Sequence, residues 1–142
     1  MKVVVDASVV LKWLLVDRPA EPDTDRATAL MRSVVERRVE IVQPAHWLLE
    51  VGAVLARLAP DTAAGDLDKL YAMALPVRDE PSVLRGACEL AIELGQHLFD
   101  TLYHAVALET EDAILVTADA RYLRVARPLG RICTLAEWQL AG

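Results

Sequence analysis

The chain has 142 residues, of which 54% are hydrophobic and 25% are charged, and its net charge is −6. The hydrophobic content exceeds the ~45–50% typical of globular domains, which excludes a disordered protein and predicts a single domain over residues 1–142. The sequence has no signal peptide and no apolar span of ~20 residues, which predicts a cytoplasmic protein. Cys88 and Cys133 are widely separated, which predicts reduced cysteines rather than a disulfide framework or a zinc site.

Short apolar runs alternate along the chain with longer amphipathic segments. The predicted strands, in chain order, are residues 2–5, 39–42, 75–78, 113–116 and 131–134. The predicted helices are residues 8–15, 24–38, 46–58, 63–73, 82–94, 99–109 and 120–126. This alternation predicts an α/β fold, a three-layer α/β/α sandwich with a central parallel five-stranded sheet.

The first predicted strand ends on a carboxylate. In VVVDASVV, Asp6 and Ser8 follow buried valines, and ligands of α/β folds bind beyond the carboxyl ends of parallel strands. Asp6 or Ser8 is also able to cap the next helix by accepting a backbone N–H. Because Ser8 alone suffices as a cap, both readings of Asp6 stay open.

Two predicted helices carry further carboxylates. Glu50 lies at the edge of the apolar stripe of PAHWLLEVGAVLARL, either as a solvated flank residue or as a functional group. Asp100 lies in the first turn of LFDTLYHAVAL, where the helix dipole alone favours an anion. Neither position decides the role of its residue.

The fourth predicted strand repeats the pattern of the first. In ILVTADARYL, Thr117 and Asp119 follow the strand, and Asp119 is either a helix cap or a functional group. If the four carboxylates converge, each pair at ~4 Å repels by ~4 kcal/mol at an effective dielectric of 20, so the fold needs a cation there. Oxygen ligands suit Mg²⁺ or Mn²⁺, which activates water and stabilises charge on a phosphodiester.

Three segments resemble the PIN-domain ribonucleases, and within them the VapC-type toxins of prokaryotic toxin–antitoxin pairs. The segments are VVVDASVVLKWL, PAHWLLEVGAVLARL and LFDTLYHAVALETEDAILVTADARYL, in the family's order and over essentially the whole chain. The resemblance implies a catalytic and metal-binding quartet with two supporting hydroxyls. These residues are Asp6, Glu50, Asp100 and Asp119, supported by Ser8 and Thr117.

The resemblance further implies an Mg²⁺- or Mn²⁺-dependent endoribonuclease that cleaves single-stranded RNA. It also implies a homodimer and inhibition by a cognate VapB-type antitoxin. The family often has a glycine in the turn before the fourth strand, whereas this chain has Glu111 and Asp112, which leaves the shape of that turn open.

The acidic balance is unusual for a protein that binds nucleic acid, because phosphate contacts favour a basic surface. A bound cation would offset part of it. Lys12, Arg121 and Arg124 remain close in sequence to the expected site, either as surface charges or as phosphate contacts.

Other functions make different demands on the sequence. A PIN-like module that binds RNA or a partner without cleaving it does not need the acidic quartet, and a metal-dependent cleavage assay separates it from a nuclease. A response-regulator receiver expects an acidic pair after the first strand and a lysine after the last, but Asp6 stands alone and no lysine follows Lys69. A Rossmann dinucleotide site expects a G-x-G-x-x-G after a strand, which this chain lacks.

Overall fold

The computed structural model describes residues 1–141 and the side chains of residues 1–138. The strands in this part of the chain are β1 (Lys2–Val5), β2 (Glu40–Ile41), β3 (Gln43–Pro44), β4 (Val77–Arg78), β5 (Ala113–Val116) and β6 (Ile132–Cys133). The helices are α1 (Ala7–Leu14), α2 (Thr24–Val35), α3 (Trp47–Leu58), α4 (Ala63–Ala72), α5 (Pro81–Leu94), α6 (Leu98–Glu109), α7 (Ala120–Ala126) and α8 (Leu135–Ala141), with a 3₁₀ turn at Arg127–Leu129. None of these helices is long and apolar enough to cross a membrane.

A parallel sheet with the strand order β2-β1-β5-β6 forms the centre of the fold. Val3, Val4 and Val5 of β1 are all fully buried. Since successive residues of a strand face opposite sides, the sheet is covered on both faces, which explains the uninterrupted valine run. Helix α6 packs on β1 and β5, and α5 packs on α6. The predicted α/β class with a parallel sheet is confirmed.

The predicted five-stranded sheet is wrong in its strand count, because the strand predicted at residues 75–78 does not join the central sheet. The strand predicted at residues 39–42 does join it: β2 pairs with β1, and the N–H of Val42 donates to the carbonyl of Val3. From Gln43 onward the chain turns away, and β3 pairs with β4 in a separate two-stranded parallel sheet. The structure therefore has a four-stranded sheet and a two-stranded one.

The side chain of Gln43 fills the place that the diverging backbone leaves beside β1. Its Oε1 accepts from the N–H of Val5 at 2.9 Å, and its Nε2 donates to the carbonyl of Val5 at 2.9 Å. Gln43 is fully buried. Its amide thus takes the place of a neighbouring strand for Val5, the last residue before Asp6.

Most predicted helices agree with the structure to within one residue at each end, and two differences have a local cause. Helix α2 ends at Val35 and not at residue 38, because Arg37 adopts a left-handed conformation with φ of 59°. Helix α8 lies outside the predicted set, and Thr134 caps it by accepting from the N–H of Glu137.

The turn before β5 contains Asp112 with φ of 58°. This is the left-handed region that glycine enters without strain and that Asp and Asn enter more readily than most residues. The turn therefore keeps a conformation suited to glycine although the sequence has Glu111 and Asp112 there.

Candidate metal centre

Three of the four predicted carboxylates meet at the carboxyl end of β1. Asp6 follows β1, Glu50 lies in the first turn of α3, and Asp100 lies in the first turn of α6. One carboxylate oxygen from each lies within 4.8 Å of the other two. Residues that are 44 and 50 positions apart in the chain are thus gathered at one point, because the strand end and two helix starts meet there.

Asp6 both caps a helix and belongs to this cluster. Its Oδ2 accepts from the backbone N–H of Ser8 at 3.0 Å and from the Ser8 hydroxyl. The Ser8 oxygen also accepts from the N–H of Ala118 at 3.0 Å, which links the ends of β1 and β5. Burial raises the pKa of Asp6 from 3.8 to about 6; the Ser8 hydrogen bonds oppose this rise, and the charges of Glu50 and Asp100 add to it.

His46, which the sequence analysis did not single out, lies against Glu50. Its Nε2 is 3.0 Å from Oε2 of Glu50 and 2.8 Å from the carbonyl oxygen of Phe99. A carbonyl only accepts, so the Nε2 proton is donated to Phe99. Oε2 of Glu50 is then buried without a hydrogen-bond donor. The one sequence signal for His46 was its position immediately before α3, one helical turn ahead of Glu50.

Asp100 sits in an environment that disfavours its charge. Partial burial raises its pKa, and the charges of Glu50 and Asp119 add to this effect, while His97 and His46 oppose it. The fully buried Tyr103 lies on the same helix, and burial together with the charges of Glu50 and Asp6 raises the pKa of its hydroxyl. Tyr103 is a core residue.

Asp119 lies beside the cluster but outside the set of three. Its Oδ1 caps α7 by accepting from the N–H of Tyr122 at 3.0 Å. Thr117 is buried, and its hydroxyl oxygen accepts from the N–H of Asp119 at 3.0 Å, which fixes the turn that carries the carboxylate. The charge of Asp119 still contributes to the raised pKa of Asp100, so the two carboxylates are close enough to interact.

The basic residues named from the sequence differ in their surroundings. Lys12 is buried, and its ammonium donates to Oε1 of Glu21 at 2.9 Å and to the carbonyl of Pro22 at 2.8 Å. It is therefore not a surface charge but part of the packing between α1 and the loop before α2. Arg121 and Arg124 are exposed on α7.

The three carboxylates fit the demands of a small divalent cation. Two oxygens on one Mg²⁺ ion lie at most ~4.2 Å apart, twice the Mg–O distance, and Mg²⁺ commonly keeps several waters. A spread of up to 4.8 Å suits an ion held partly by direct contacts and partly through water. The buried Oε2 of Glu50, which lacks a donor, is the atom that such an ion would satisfy.

The solved structures that share this fold include three that cover almost all of this chain. VapBC2 from Rickettsia felis, bound to a DNA fragment from its promoter, has a TM-score of 0.67 at 16% identity, over 94% of this chain and 98% of that one. VapBC-1 from nontypeable Haemophilus influenzae has a TM-score of 0.62 at 13% identity, over 96% of this chain and 99% of that one. PAE2754 from Pyrobaculum aerophilum has a TM-score of 0.63 at 23% identity, over 99% of this chain and 88% of that one. Because the sequence identities are this low, the structural similarity establishes the fold alone.

The sequence itself also assigns the family. No curated protein matches the chain by sequence. The family model described as the PIN domain matches residues 3–128, which is most of the chain and includes all four predicted carboxylates. The chain belongs to the PIN domain family.

Proposed function

We propose that this chain is a metal-dependent endoribonuclease that cleaves single-stranded RNA as the toxin of a type II toxin–antitoxin system. The observation that carries the proposal is the convergence of Asp6, Glu50 and Asp100 within 4.8 Å. Carboxylates gathered in this way repel one another, and burial already disfavours the charge of Asp6 and of Asp100. A fold keeps such an arrangement when a cation offsets the repulsion.

Mg²⁺ or Mn²⁺ is the proposed cofactor, held by Asp6, Glu50 and Asp100 with Asp119 completing the site or serving a second ion. Such an ion, when bound, lowers the pKa of water and stabilises the negative charge that develops on a phosphodiester oxygen. Oδ2 of Asp6 accepts two hydrogen bonds from Ser8, so Oδ1 would be the oxygen that is free to contact the ion. Thr117 positions Asp119 through its backbone N–H.

The proposed biological role rests on two kinds of similarity. The motifs of the sequence resemble VapC-type toxins, and two of the structures that share the fold are VapBC assemblies. We therefore propose a cognate VapB-type antitoxin as the inhibitor, a homodimer as the assembly, the cytoplasm as the location, and one PIN domain over residues 1–142. Light scattering that shows a monomer at tens of micromolar would contradict the dimer.

Cleavage of single-stranded RNA tests the proposal directly. Protein free of antitoxin should cleave RNA with Mg²⁺ or Mn²⁺ and stop when EDTA is added. Asp6→Asn and Asp100→Asn should each lose nearly all activity, because an amide is a neutral and weaker ligand. Asp66→Asn is the matched control, since Asp66 also lies in the first turn of a helix, α4, but outside the cluster. It should cleave like the wild type.

The same assay separates the nuclease from a non-catalytic PIN-like module. A protein that binds RNA but leaves it intact with either metal would contradict the nuclease and favour the module. Wild-type rates in Asp6→Asn or Asp100→Asn would remove that residue from the site.

A further inference from the structure

An exposed aromatic ring lies beside the metal centre and has no part in the proposed chemistry. Phe99 immediately precedes Asp100 at the start of α6. It is the only phenylalanine of the chain, and it is 50% exposed. A single exposed apolar residue is common on protein surfaces, so the surroundings of this one decide whether it carries an inference.

Two histidines hold the backbone of Phe99 from both sides. The N–H of Phe99 donates to Nδ1 of His97 at 3.1 Å, and its carbonyl accepts from Nε2 of His46 at 2.8 Å. His97 is the N-cap of α6, whereas His46 comes from the start of α3, 53 residues away in sequence. Phe99 is therefore fixed by a local and a tertiary contact although half of it faces solvent.

The same two imidazoles flank the phenyl ring. The ring centroid of Phe99 is 4.9 Å from that of His97 in an edge-to-face arrangement and 5.1 Å from that of His46 in a tilted one. His46 in turn packs against Tyr103 with centroids 4.8 Å apart. A ring held in this way loses little conformational freedom when a ligand stacks on it, which is the benefit of preorganisation.

We propose that Phe99 is a stacking platform for one nucleobase of single-stranded RNA next to the metal centre. This inference rests on the proposed function, because RNA is the expected ligand of the ring only if the site beside it is a ribonuclease site. His46 joins the two features: its Nε2 is 3.0 Å from Glu50, and its ring lies against Phe99. A base one nucleotide away from the reacting phosphate is the part of the substrate that reaches a neighbouring aromatic ring.

The negative net charge of the chain indicates that stacking on Phe99 would contribute to RNA affinity. Proteins that bind single-stranded nucleic acid combine cationic contacts to phosphates with aromatic stacking on the bases. Here the net charge is −6, and of the three basic residues close in sequence to the site, Lys12 is buried and paired, which leaves only Arg121 and Arg124 exposed. Since attraction to the phosphates is limited, contacts with the bases must supply more of the affinity.

Binding of a labelled single-stranded RNA tests the proposal apart from catalysis. The Asp6→Asn background prevents cleavage, and fluorescence anisotropy with Mg²⁺ and an oligonucleotide of about twelve nucleotides, within the range of known site sizes, reports affinity. Phe99→Ala should weaken binding about tenfold, a factor that falls within the contribution of one base–aromatic stack. Phe99→Trp should bind within about twofold of the parent because indole also stacks on bases.

Three controls separate stacking from other effects of the substitution. Tyr71→Ala removes an aromatic residue that is 76% exposed on α4, and it should leave RNA affinity unchanged. An abasic strand of the same length should bind Phe99→Ala and the parent equally. Phe99→Leu retains an apolar side chain without a π-face, so it should lose affinity as Phe99→Ala does and remains informative if the alanine variant folds poorly.

Each outcome bears on the proposal. Unchanged RNA affinity in Phe99→Ala and Phe99→Leu would overturn it. Equal weakening on the abasic strand would overturn it as well, because the ring would then act on the shape of the site. If the wild type cleaves no RNA, the proposed function fails by itself, whereas cleavage with the same KM in Phe99→Ala removes only the platform.

Discussion

At the scale of single residues, helix capping and ligand placement turn out to be compatible roles. Asp6 uses one carboxylate oxygen to cap α1 through Ser8 and remains within reach of Glu50 and Asp100. Asp119 likewise caps α7 with Oδ1. The two readings that the sequence left open for Asp6 are thus compatible with one geometry, since a carboxylate has two oxygens.

The raised pKa of Asp6 predicts how the metal-free protein responds to pH. The folded state holds the proton more tightly than the unfolded chain, so its free energy of unfolding falls as pH rises from about 4 through about 6. The difference between a pKa of 3.8 and one of about 6 corresponds to ~3 kcal/mol. Asp6→Asn lacks this titration, so its stability relative to wild type should rise over that window and then level off.

Chemical denaturation of both proteins in EDTA, at several pH values from 4 to 7.5, measures this difference. Asp66→Asn serves again as the control, because Asp66 lies outside the cluster. A difference between Asp6→Asn and wild type that stays flat across the window would show that Asp6 is not held in a charge-disfavouring environment.

At the scale of secondary-structure elements, Gln43 decides where the central sheet ends. Its amide satisfies both backbone groups of Val5 in a fully buried position. Gln43→Met has a similar length but no polar atoms, so it leaves a buried N–H and a buried carbonyl without partners. We expect a loss of ~2 kcal/mol or more in the free energy of unfolding, since each unsatisfied group costs ~1–3 kcal/mol.

Thermal or urea unfolding of Gln43→Met measures this loss. Gln96→Met is the matched control, because Gln96 makes a single long bond of 3.4 Å to the carbonyl of Leu94, and it should change stability by less than ~0.5 kcal/mol. Equal stability of Gln43→Met and wild type would mean that the side-chain amide does not replace a strand.

Substitution of two glycines, one at the end of a helix and one inside a helix, tests where the helices end. Gly95 ends α5 with φ of 63°, a conformation that costs an L-residue ~1–2 kcal/mol. Gly65 lies inside α4, and neither position has any atom within 4 Å of an added Cβ. Gly95→Ala should therefore lower stability by ~1 kcal/mol, while Gly65→Ala should raise it by ~0.5–1 kcal/mol.

The opposite signs make this pair informative, because the same chemical change is made twice without a steric clash. Urea denaturation of the two variants and the wild type gives both values. Stabilisation by Gly95→Ala would contradict the left-handed end of α5.

At the scale of the whole molecule, the acidic cluster links stability to metal binding. Mg²⁺ or Mn²⁺ that binds only the folded state should stabilise the metal-free protein by ~2.7 kcal/mol at a hundred times its dissociation constant. Asp100→Asn should raise the melting temperature in EDTA, because the pKa of Asp100 is raised and its charge is therefore unfavourable there. The same variant should show a smaller stabilisation by metal.

Thermal melts of both proteins with and without metal separate this prediction from a purely local role. If Asp100 only interacted with the dipole of α6, its loss would lower stability by ~0.3–1 kcal/mol and leave the response to metal unchanged. A lower melting temperature in EDTA together with an unchanged metal shift would remove Asp100 from the metal centre.

Local sequence patterns determined the class of the fold and most of its elements. The valine run of β1 required burial on both faces, and apolar stripes at helical spacing placed α3 and α6 within one residue of their observed bounds. The carboxylates at strand ends and helix starts were also visible, because the α/β topology brings these positions to one edge of the sheet. These features depend on periodicity and chain order, which a sequence contains.

Contacts between distant segments were decided only by the tertiary structure. The replacement of a strand beside Val5 by the side chain of Gln43 depends on hydrogen bonds between residues 38 positions apart. The hydrogen bond from His46 to the carbonyl of Phe99 joins residues 53 positions apart. The ion pair between Lys12 and Glu21 depends on the path of the loop before α2. Such contacts follow from how whole elements pack against each other, and no periodicity or local propensity records them.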